Sequence, residues 1–256
     1  AAMTRTNELD PALESQIKAL LNQQGNCPHA VTSQHLVKAH GARTTVEEML
    51  GSGLSDNFDF TANTDKVQAI RDHYGFTSGQ LSSVEAMTAL AEQALTQQIS
   101  RCISIRSPFN YDTHQTLEQG PPQMKAYNAI ARLMDNLEKT PYPDNSGDSW
   151  LDRTTIMCTS EFSRSPLINT TVGRDHWLTN SCFLAGGGIK GNQVVGESSD
   201  LGMAPRPTNL TTGKVDLDAK AMTPDNLIRG LYTMLGYEKD VADLRVKPLT
   251  AILKEG

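Results

Sequence analysis

The stretch TSEFSRSPLINTTVGRDHW, residues 159–177, lies between two apolar runs, TTIMC at 154–158 and CFLAGGGI at 182–189. Short apolar runs bounded by turn residues are typical of buried strands, so the sequence predicts strands at 154–160 and 181–185. The stretch between them is polar, and it carries side chains suited to acid–base and metal chemistry: Glu161, Arg164, Arg174, Asp175 and His176. Whether they form one site depends on how the neighbouring strands are arranged.

A third predicted strand and a helix precede this region. The segment RCISIRSPF, 101–109, alternates apolar and polar residues, as a half-buried strand does. The amphipathic segment MKAYNAIARLMDNLEK, 124–139, follows it and predicts a helix. Strand, helix and strand in this order are typical of a βαβ crossover, which predicts an α/β fold whose sheet is partly parallel and covered by helices.

The rest of the chain is predicted to be mainly helical before residue 100. Helices are predicted at DPALESQIKALLNQQ, 10–24, at NTDKVQAIRDHYG, 63–75, and at SSVEAMTALAEQALTQQI, 82–99. A final helix is expected to begin at Pro224, behind the N-cap Thr223, and to end at Gly236. We expect a single domain, 1–256, with a helical region at 1–100 and an α/β region containing the site at 101–256.

The composition argues against several classes of protein. Hydrophobic residues make up 38% and charged residues 20% of the 256 residues, which is typical of a soluble globular chain. The formal net charge of −6, without clustered lysine and arginine, argues against a nucleic-acid partner. No apolar run reaches the length of a membrane span, and the start AAMTRTNELD does not resemble a signal peptide. The chain is therefore expected to be cytosolic or to have lost a targeting segment.

Two further patterns are expected to be structural. The cysteines Cys27, Cys102, Cys158 and Cys182 show no CxxC spacing, and three of them lie in apolar runs. They predict buried free thiols rather than a zinc or redox site. The segment GGGIKGNQ, 186–193, lacks the Gly-Lys-Ser/Thr ending of a phosphate-binding loop, so we interpret it as a turn.

The predicted sheet would gather the polar side chains at one edge, since ligands bind at the carboxyl ends of parallel strands. Asp112 and His114 follow the first strand and lie two residues apart, so in an extended segment both point the same way and can hold one divalent cation. His176 and Glu161 would complete the ligand set, with Asp175 as a further candidate. Mixed histidine and carboxylate ligands suit zinc, manganese or iron, whereas a carboxylate-rich site suits magnesium or calcium.

Structural roles are an open alternative for the same residues. An Asp-x-His segment is commonly a hydrogen bond within a loop. Arg174 would then pair with Asp175, and Arg164 with Glu161, as surface ion pairs of little energetic weight. A guanidinium beside a metal ion would instead hold a phosphate or sulfate ester through two parallel hydrogen bonds.

The order of motifs resembles a known bacterial family. YDTHQ (111–115), TTIMCTSEFSRSPLIN (154–169), GRDHW (173–177) and LAGGGIKGNQVVGESSD (184–200) are similar to the family called domain of unknown function 1501, a branch of the sulfatase and alkaline phosphatase-like superfamily. The resemblance extends upstream through FDFTANTDKVQAIRDHYG, 58–75, and covers roughly residues 44–240. It implies an α/β/α sandwich of the alkaline phosphatase-like type with a bimetal site at the strand ends.

By motif order, Asp112, His114 and His176 resemble the ligands of one metal, and Glu161 stands where the second metal has a carboxylate. The chain departs from the superfamily at Phe162, where the hydrolases have a histidine. Nothing in residues 1–43 resembles the strand that carries the nucleophile. The chain therefore looks like the carboxyl-terminal part of a longer protein, an incomplete fold whose partner would be the missing N-terminal part. The family's twin-arginine export signal implies a periplasmic or secreted location.

Two functions are expected from this resemblance. The first is a metal-dependent hydrolase-like protein acting on small phosphate or sulfate esters, with Asp112, His114, Glu161, Asp175 and His176 as metal ligands and Arg164 or Arg174 holding the anion. The metal would be zinc, manganese, calcium or magnesium, and the isolated chain is expected to be inactive because the nucleophile segment is absent. The alternative is a non-catalytic exported module for binding or assembly.

Overall fold

The computed structural model describes residues 54–237, 239 and 243–254, together with isolated helical positions between residues 15 and 41. The chain divides into two compact units, Ala1–Ser104 and Ile105–Gly256. The predicted helix at 10–24 lies largely outside the described residues, and the expectation of a single domain stays a prediction.

The first unit contains two described α-helices, α1 (Asp65–Tyr74) and α2 (Val84–Thr96), after a short 3-10 helix at Leu54–Asn57. The helices predicted at 63–75 and 82–99 therefore begin at Asp65 and Val84. The hydroxyl of Thr64 accepts a hydrogen bond from the backbone N–H of α1, and that of Ser83 accepts one from α2. α1 ends at Gly75, whose φ of 77° is the left-handed conformation that glycine adopts most readily.

A buried polar contact joins these two helices. The phenol of Tyr74, with no exposed surface, donates to a carboxylate oxygen of Glu92 at 2.6 Å. Apolar side chains of both helices and of the segments that flank α1 are also buried: Phe60, Val67, Phe76, Val84, Ala86, Ala89 and Ala91. The described part of the first unit therefore has a core of its own that includes the Tyr74–Glu92 hydrogen bond.

The second unit begins its regular structure with α3 (Gly120–Lys139), which packs against a 3-10 helix at Leu151–Arg153. Ala129, Leu133 and Leu137 of α3 are buried at helical spacing, as the amphipathic pattern predicts. Strand β1 (Thr155–Cys158) follows and pairs antiparallel with β4 (Phe183–Gly186), with Thr155 opposite Gly186 and Cys158 opposite Phe183. Between them lies a second antiparallel pair, β2 (Ser163–Arg164) and β3 (His176–Trp177).

The end of the chain forms another core cluster in this unit. Leu249, Ala251 and Ile252, in and beside a 3-10 helix at Thr250–Ile252, are buried against Leu227 and Leu231 of the last helix, α4 (Pro224–Met234). α4 begins behind Thr223 and is followed by Gly236 with a φ of 83°. The start at Pro224 agrees with the prediction, whereas the helix ends at Met234, two residues before the predicted end at Gly236.

The predicted α/β/α sandwich is wrong. The residues that the structure describes form two two-stranded antiparallel sheets and no parallel sheet. Because β1 pairs directly with β4, the chain reverses between them, and no βαβ crossover exists here. Segment 101–109 forms neither a helix nor a strand, and Ile103 and Ile105 are 36% and 38% exposed. Alternation of apolar and polar residues therefore does not by itself show that a segment pairs with a strand.

The remaining structural predictions have mixed outcomes. Gly187 and Gly188 form a turn after β4, as predicted for GGGIKGNQ. Cys102, Cys158 and Cys182 are free, but Cys102 and Cys182 are exposed, so their predicted burial is wrong. Cys27 lies outside the described residues. No helix in the described part of the chain is long and apolar enough to cross a bilayer.

Candidate metal centre

The candidate site is built on the short β2–β3 pair inside the polar stretch 159–177. Arg164 of β2 lies directly opposite His176 of β3, and Ser163 lies opposite Trp177. Side chains that are opposite each other in an antiparallel pair lie on the same face. The ladder therefore places the Arg164 guanidinium beside the His176 imidazole.

The segment that carries Asp112 and His114 is held by hydrogen bonds from the side chain of Gln119. The side-chain amide of Gln119 donates to the Tyr111 carbonyl at 3.0 Å and to the Thr113 hydroxyl at 2.7 Å. Thr113 itself is buried, while Asp112 is exposed and His114 is half-buried. This arrangement turns Asp112 and His114 to the same accessible side of the segment.

A close backbone approach brings the two segments together at Gly173. The N–H of Arg174 donates to the Thr113 carbonyl at 3.0 Å. A Cβ atom built on Gly173 would lie 2.1 Å from the carbonyl oxygen of His114, so only glycine fits this contact without displacement. The segment before β3 is thereby fixed against the segment that carries Asp112 and His114.

Three donor atoms converge at this junction. The Nε2 atom of His114 lies 3.0 Å from Asp112 Oδ1 and 3.0 Å from His176 Nε2, and His176 Nε2 lies 3.3 Å from Asp112 Oδ1. These distances match the spacing of about 3–4 Å that we expect between ligands of a single metal ion. Among the described residues, these three form the group of histidine, cysteine and carboxylate side chains with metal-ligand spacing.

His114 is oriented from its other side. Its Nδ1 atom lies 3.0 Å from Asp175 Oδ1, which also accepts a hydrogen bond of 2.9 Å from the Asn169 amide. A proton on Nδ1 satisfies the Asp175 carboxylate and leaves the lone pair of Nε2 directed at Asp112 and His176. Such carboxylate–histidine pairs orient metal-binding imidazoles in proteins. Asp175 thus contacts the ring of His114 rather than the point where the three donor atoms converge.

Arg164 supplies positive charge at the same junction. Its Nη2 donates to Asp112 Oδ1 at 2.6 Å, and its Nη1 lies 3.3 Å from His114 Nε2. The Arg164 hydrogen bond, followed by that from His176, holds the pKa of Asp112 below its usual value. Hydrogen bonds from Asn169 and then His114 likewise lower the pKa of Asp175. Both carboxylates are therefore ionised at neutral pH.

The other predicted site residues lie around this group. The Arg174 guanidinium donates to the backbone carbonyls of Ser165 and Pro166, so it holds the loop. Glu161 is exposed and is not a member of the three-residue group. Phe162 stacks on His176 with ring centroids 4.0 Å apart, and its ring also faces the Arg164 guanidinium. A purely structural role predicted ion pairs of Arg174 with Asp175 and of Arg164 with Glu161. In the structure Arg164 pairs with Asp112, and Asp175 contacts His114.

Comparison with protein families agrees with the motif order. Residues 2–251 match the family described as Protein of unknown function (DUF1501). The chain belongs to the DUF1501 family. No curated protein and no solved structure matches it. The placement of this DUF1501 chain in the alkaline phosphatase-like superfamily, and as a carboxyl-terminal part, stays a prediction.

Asn169 and Gly173 are organising residues of this DUF1501 site that the sequence reasoning missed. The side-chain oxygen of Asn169 accepts hydrogen bonds from the backbone N–H groups of Thr171 and Gly173, and its amide donates to the His114 carbonyl at 3.1 Å. The segment NTTVG, 169–173, could have indicated these roles. An asparagine side chain commonly forms a hydrogen bond with the backbone two residues ahead, and glycine commonly permits close approach of another backbone segment.

Proposed function

We propose that this DUF1501 chain binds one divalent metal ion through Asp112, His114 and His176 and uses it to hold and polarise an anionic ester. The observation that carries the proposal is the convergence of Asp112 Oδ1, His114 Nε2 and His176 Nε2, with pairwise distances of 3.0 to 3.3 Å. The two Nε2 atoms are so close that they would repel each other if both carried protons. A bound cation would accept the lone pairs of both nitrogens and one carboxylate oxygen, and this repulsion would not arise.

The donor set favours zinc or manganese over calcium and magnesium. Calcium and magnesium prefer sites made of oxygen ligands, whereas two imidazoles and one carboxylate suit zinc and related ions. Three protein ligands leave a fourth position open, which is the pattern of catalytic rather than structural zinc sites. We therefore propose zinc or manganese with one exchangeable position.

The proposed ligand is a phosphate or sulfate ester. A metal ion in such a site supplies Lewis acidity toward an ester oxygen. Arg164 lies on the same face, with its side chain 11% exposed and both terminal nitrogens directed at the cluster. Its guanidinium would orient the anionic group through parallel hydrogen bonds. His114, oriented by Asp175, would keep its Nε2 unprotonated toward the bound cation.

Calorimetric titration with Zn²⁺ and Mn²⁺ tests the proposal. We expect about one ion per chain and a loss of affinity of at least about 100-fold in His176→Ala, since even the partners behind metal ligands account for 10–100-fold. His73→Ala in α1 is the matched control, because His73 belongs to the other unit, and it should bind like the wild type. No uptake of either ion by the wild type would contradict the proposal.

A second function is favoured by Phe162. Its ring, stacked at 4.0 Å on His176, occupies the neighbourhood in which a further ligand would extend the site to two metals. A one-metal site of this kind would serve an exported, non-catalytic module that binds its anionic partner without turnover. Hydrolysis of p-nitrophenyl phosphate and p-nitrophenyl sulfate by the metal-loaded chain tests the first function. Turnover that is abolished in His176→Ala would support the hydrolase and would contradict the inactivity predicted for this chain from its sequence. Metal binding without turnover agrees with the module and with that predicted inactivity.

A further inference from the structure

An open pocket of about 310 Å³ lies beside the three-residue cluster, on the connection between β2 and β3. Leu167, Ile168 and Trp177 supply its apolar wall, and Asn169, Asp175 and His176 supply its polar wall. Small-molecule pockets in proteins are largely apolar clefts with a few polar groups, and they range upward from about 300 Å³. The pocket thus has the composition of a ligand site and the size of a small one.

Two side chains of the apolar wall are largely exposed to solvent. Leu167 is 77% and Ile168 is 54% exposed, and both lie within the polar stretch 159–177. Exposed apolar side chains that are rimmed by polar groups commonly mark the surface on which a ligand lies. Covering these two side chains would remove apolar area from water and favour binding.

Hydrogen bonds hold this wall in shape. The Ser165 hydroxyl donates to the Leu167 carbonyl at 2.7 Å, and the Arg174 guanidinium donates to the Ser165 carbonyl at 2.9 Å. The N–H of Asn169 donates to the Gly173 carbonyl at 2.9 Å. A wall fixed before the ligand arrives loses little conformational entropy when the ligand binds.

We propose that the pocket binds the apolar group of the ligand whose anionic end lies at Asp112, His114 and His176, an inference that rests on the proposed function. His176 makes the connection, because this residue lines the pocket and its Nε2 belongs to the cluster. A cavity of about 150 Å³ accommodates benzene, so this pocket has room for one ring or a short branched chain. The ligand class is a phosphate or sulfate monoester of a small apolar alcohol or phenol.

Phenylphosphonate and methylphosphonate test the pocket, because they share the anionic group and differ in the apolar group. On the Zn²⁺-loaded chain we expect phenylphosphonate to bind at least about tenfold more tightly, given the area that a ring buries. The double variant Leu167→Ser/Ile168→Ser should bring the ratio of affinities close to one. Leu178→Ser is the matched control, since Leu178 is 99% exposed and lies outside the pocket. Equal affinities in the wild type would overturn the inference.

A metal-free measurement separates failure of the pocket from failure of the proposed function. The chain has two tryptophans, so its indole N–H resonances are few, and the spectrum of Trp177→Phe assigns that of Trp177. Cyclohexanol, a neutral apolar ring, should shift the Trp177 resonance and leave that of the buried Trp150 in place. A shift in a chain that fails to bind Zn²⁺ would support the pocket and refute the metal site. Absence of a shift, together with equal phosphonate affinities, would refute the pocket.

Discussion

The Nδ1 atom of His114 lies 3.0 Å from Asp175 Oδ1, so one hydrogen bond joins residues that are 61 positions apart in the chain. This contact orients the imidazole whose opposite nitrogen faces Asp112 and His176. It makes Asp175 a positioning residue, since its effect on a bound ion acts through the ring of His114.

Replacing Asp175 with alanine is expected to weaken Zn²⁺ binding by about 10–100-fold, because the imidazole loses the acceptor that fixes its tautomer. Asp175→Asn keeps an acceptor oxygen and should restore part of the affinity. Calorimetric titration measures both variants. Asp200→Ala, at another exposed aspartate, is the matched control and should leave binding unchanged. Wild-type affinity in Asp175→Ala would show that His114 needs no such partner.

Gly173→Ala is expected to destabilise the second unit. The added Cβ would lie 2.1 Å from the carbonyl oxygen of His114, so the two backbones must separate. Crowding of this kind costs about 1–3 kcal/mol in the free energy of unfolding. Gly191→Ala is the matched control, with no atom within 4 Å of its Cβ and an expected change below about 0.5 kcal/mol. Chemical denaturation compares the two, and similar values would contradict the close approach.

Arg164→Gln is expected to raise the pKa of Asp112 toward its usual value. In the wild type the Arg164 hydrogen bond is the main cause of the lowered pKa, with His176 second. A lowered pKa in the folded state stabilises the fold above the unfolded value of 3.8, and this contribution is lost as pH falls through the folded pKa. NMR titration of the Asp112 carboxyl carbon measures the shift. Arg206→Gln, which removes a pair with Glu197, should leave that titration unchanged.

Tyr74→Phe is expected to change how stability depends on alkaline pH. Burial, with the charge of Glu92 second, raises the pKa of Tyr74 far above its usual value of about 10. The stabilisation linked to the neutral phenol is therefore complete below about pH 10 and is lost as pH rises above it. The variant should be less stable at neutral pH by about 1–3 kcal/mol, because Glu92 loses this donor, and should lose less stability above pH 10. Chemical denaturation of both proteins at pH values from neutral to above 10 measures this difference. Tyr237→Phe is the control, because Tyr237 is exposed.

The helices could be predicted because their signals are local. Thr64, Ser83 and Thr223 each precede an amphipathic segment, and Gly75 and Gly236 end two of them. The sheet could not be predicted in this way. Its pairing joins Thr155 to Gly186 across a long polar segment, and nothing within either apolar run distinguishes a parallel from an antiparallel partner.

The three grouped residues of the candidate site were predicted from the sequence together with Glu161 and Asp175, but the way the site is built was not. Asp112, His114 and His176 were grouped because parallel strands would end at one edge, whereas the structure brings them together through the β2–β3 pair and the backbone contact at Gly173. The contributions of Asn169 and Gln119 are hydrogen bonds to backbone atoms of other segments. Residue type alone does not reveal such bonds, because they depend on the folded path of the chain.

The antiparallel pairing of β1 with β4 closes the polar segment at its two ends, at Cys158 and Phe183. Substitutions in that segment outside β2 and β3 can therefore change the wall of the proposed pocket without altering the β1–β4 ladder. If the pocket binds as proposed, changes at Leu167 and Ile168 would alter which ligand is bound while the Arg164–His176 register persists. Relatives with this arrangement would then share one scaffold and differ in the compounds that they bind.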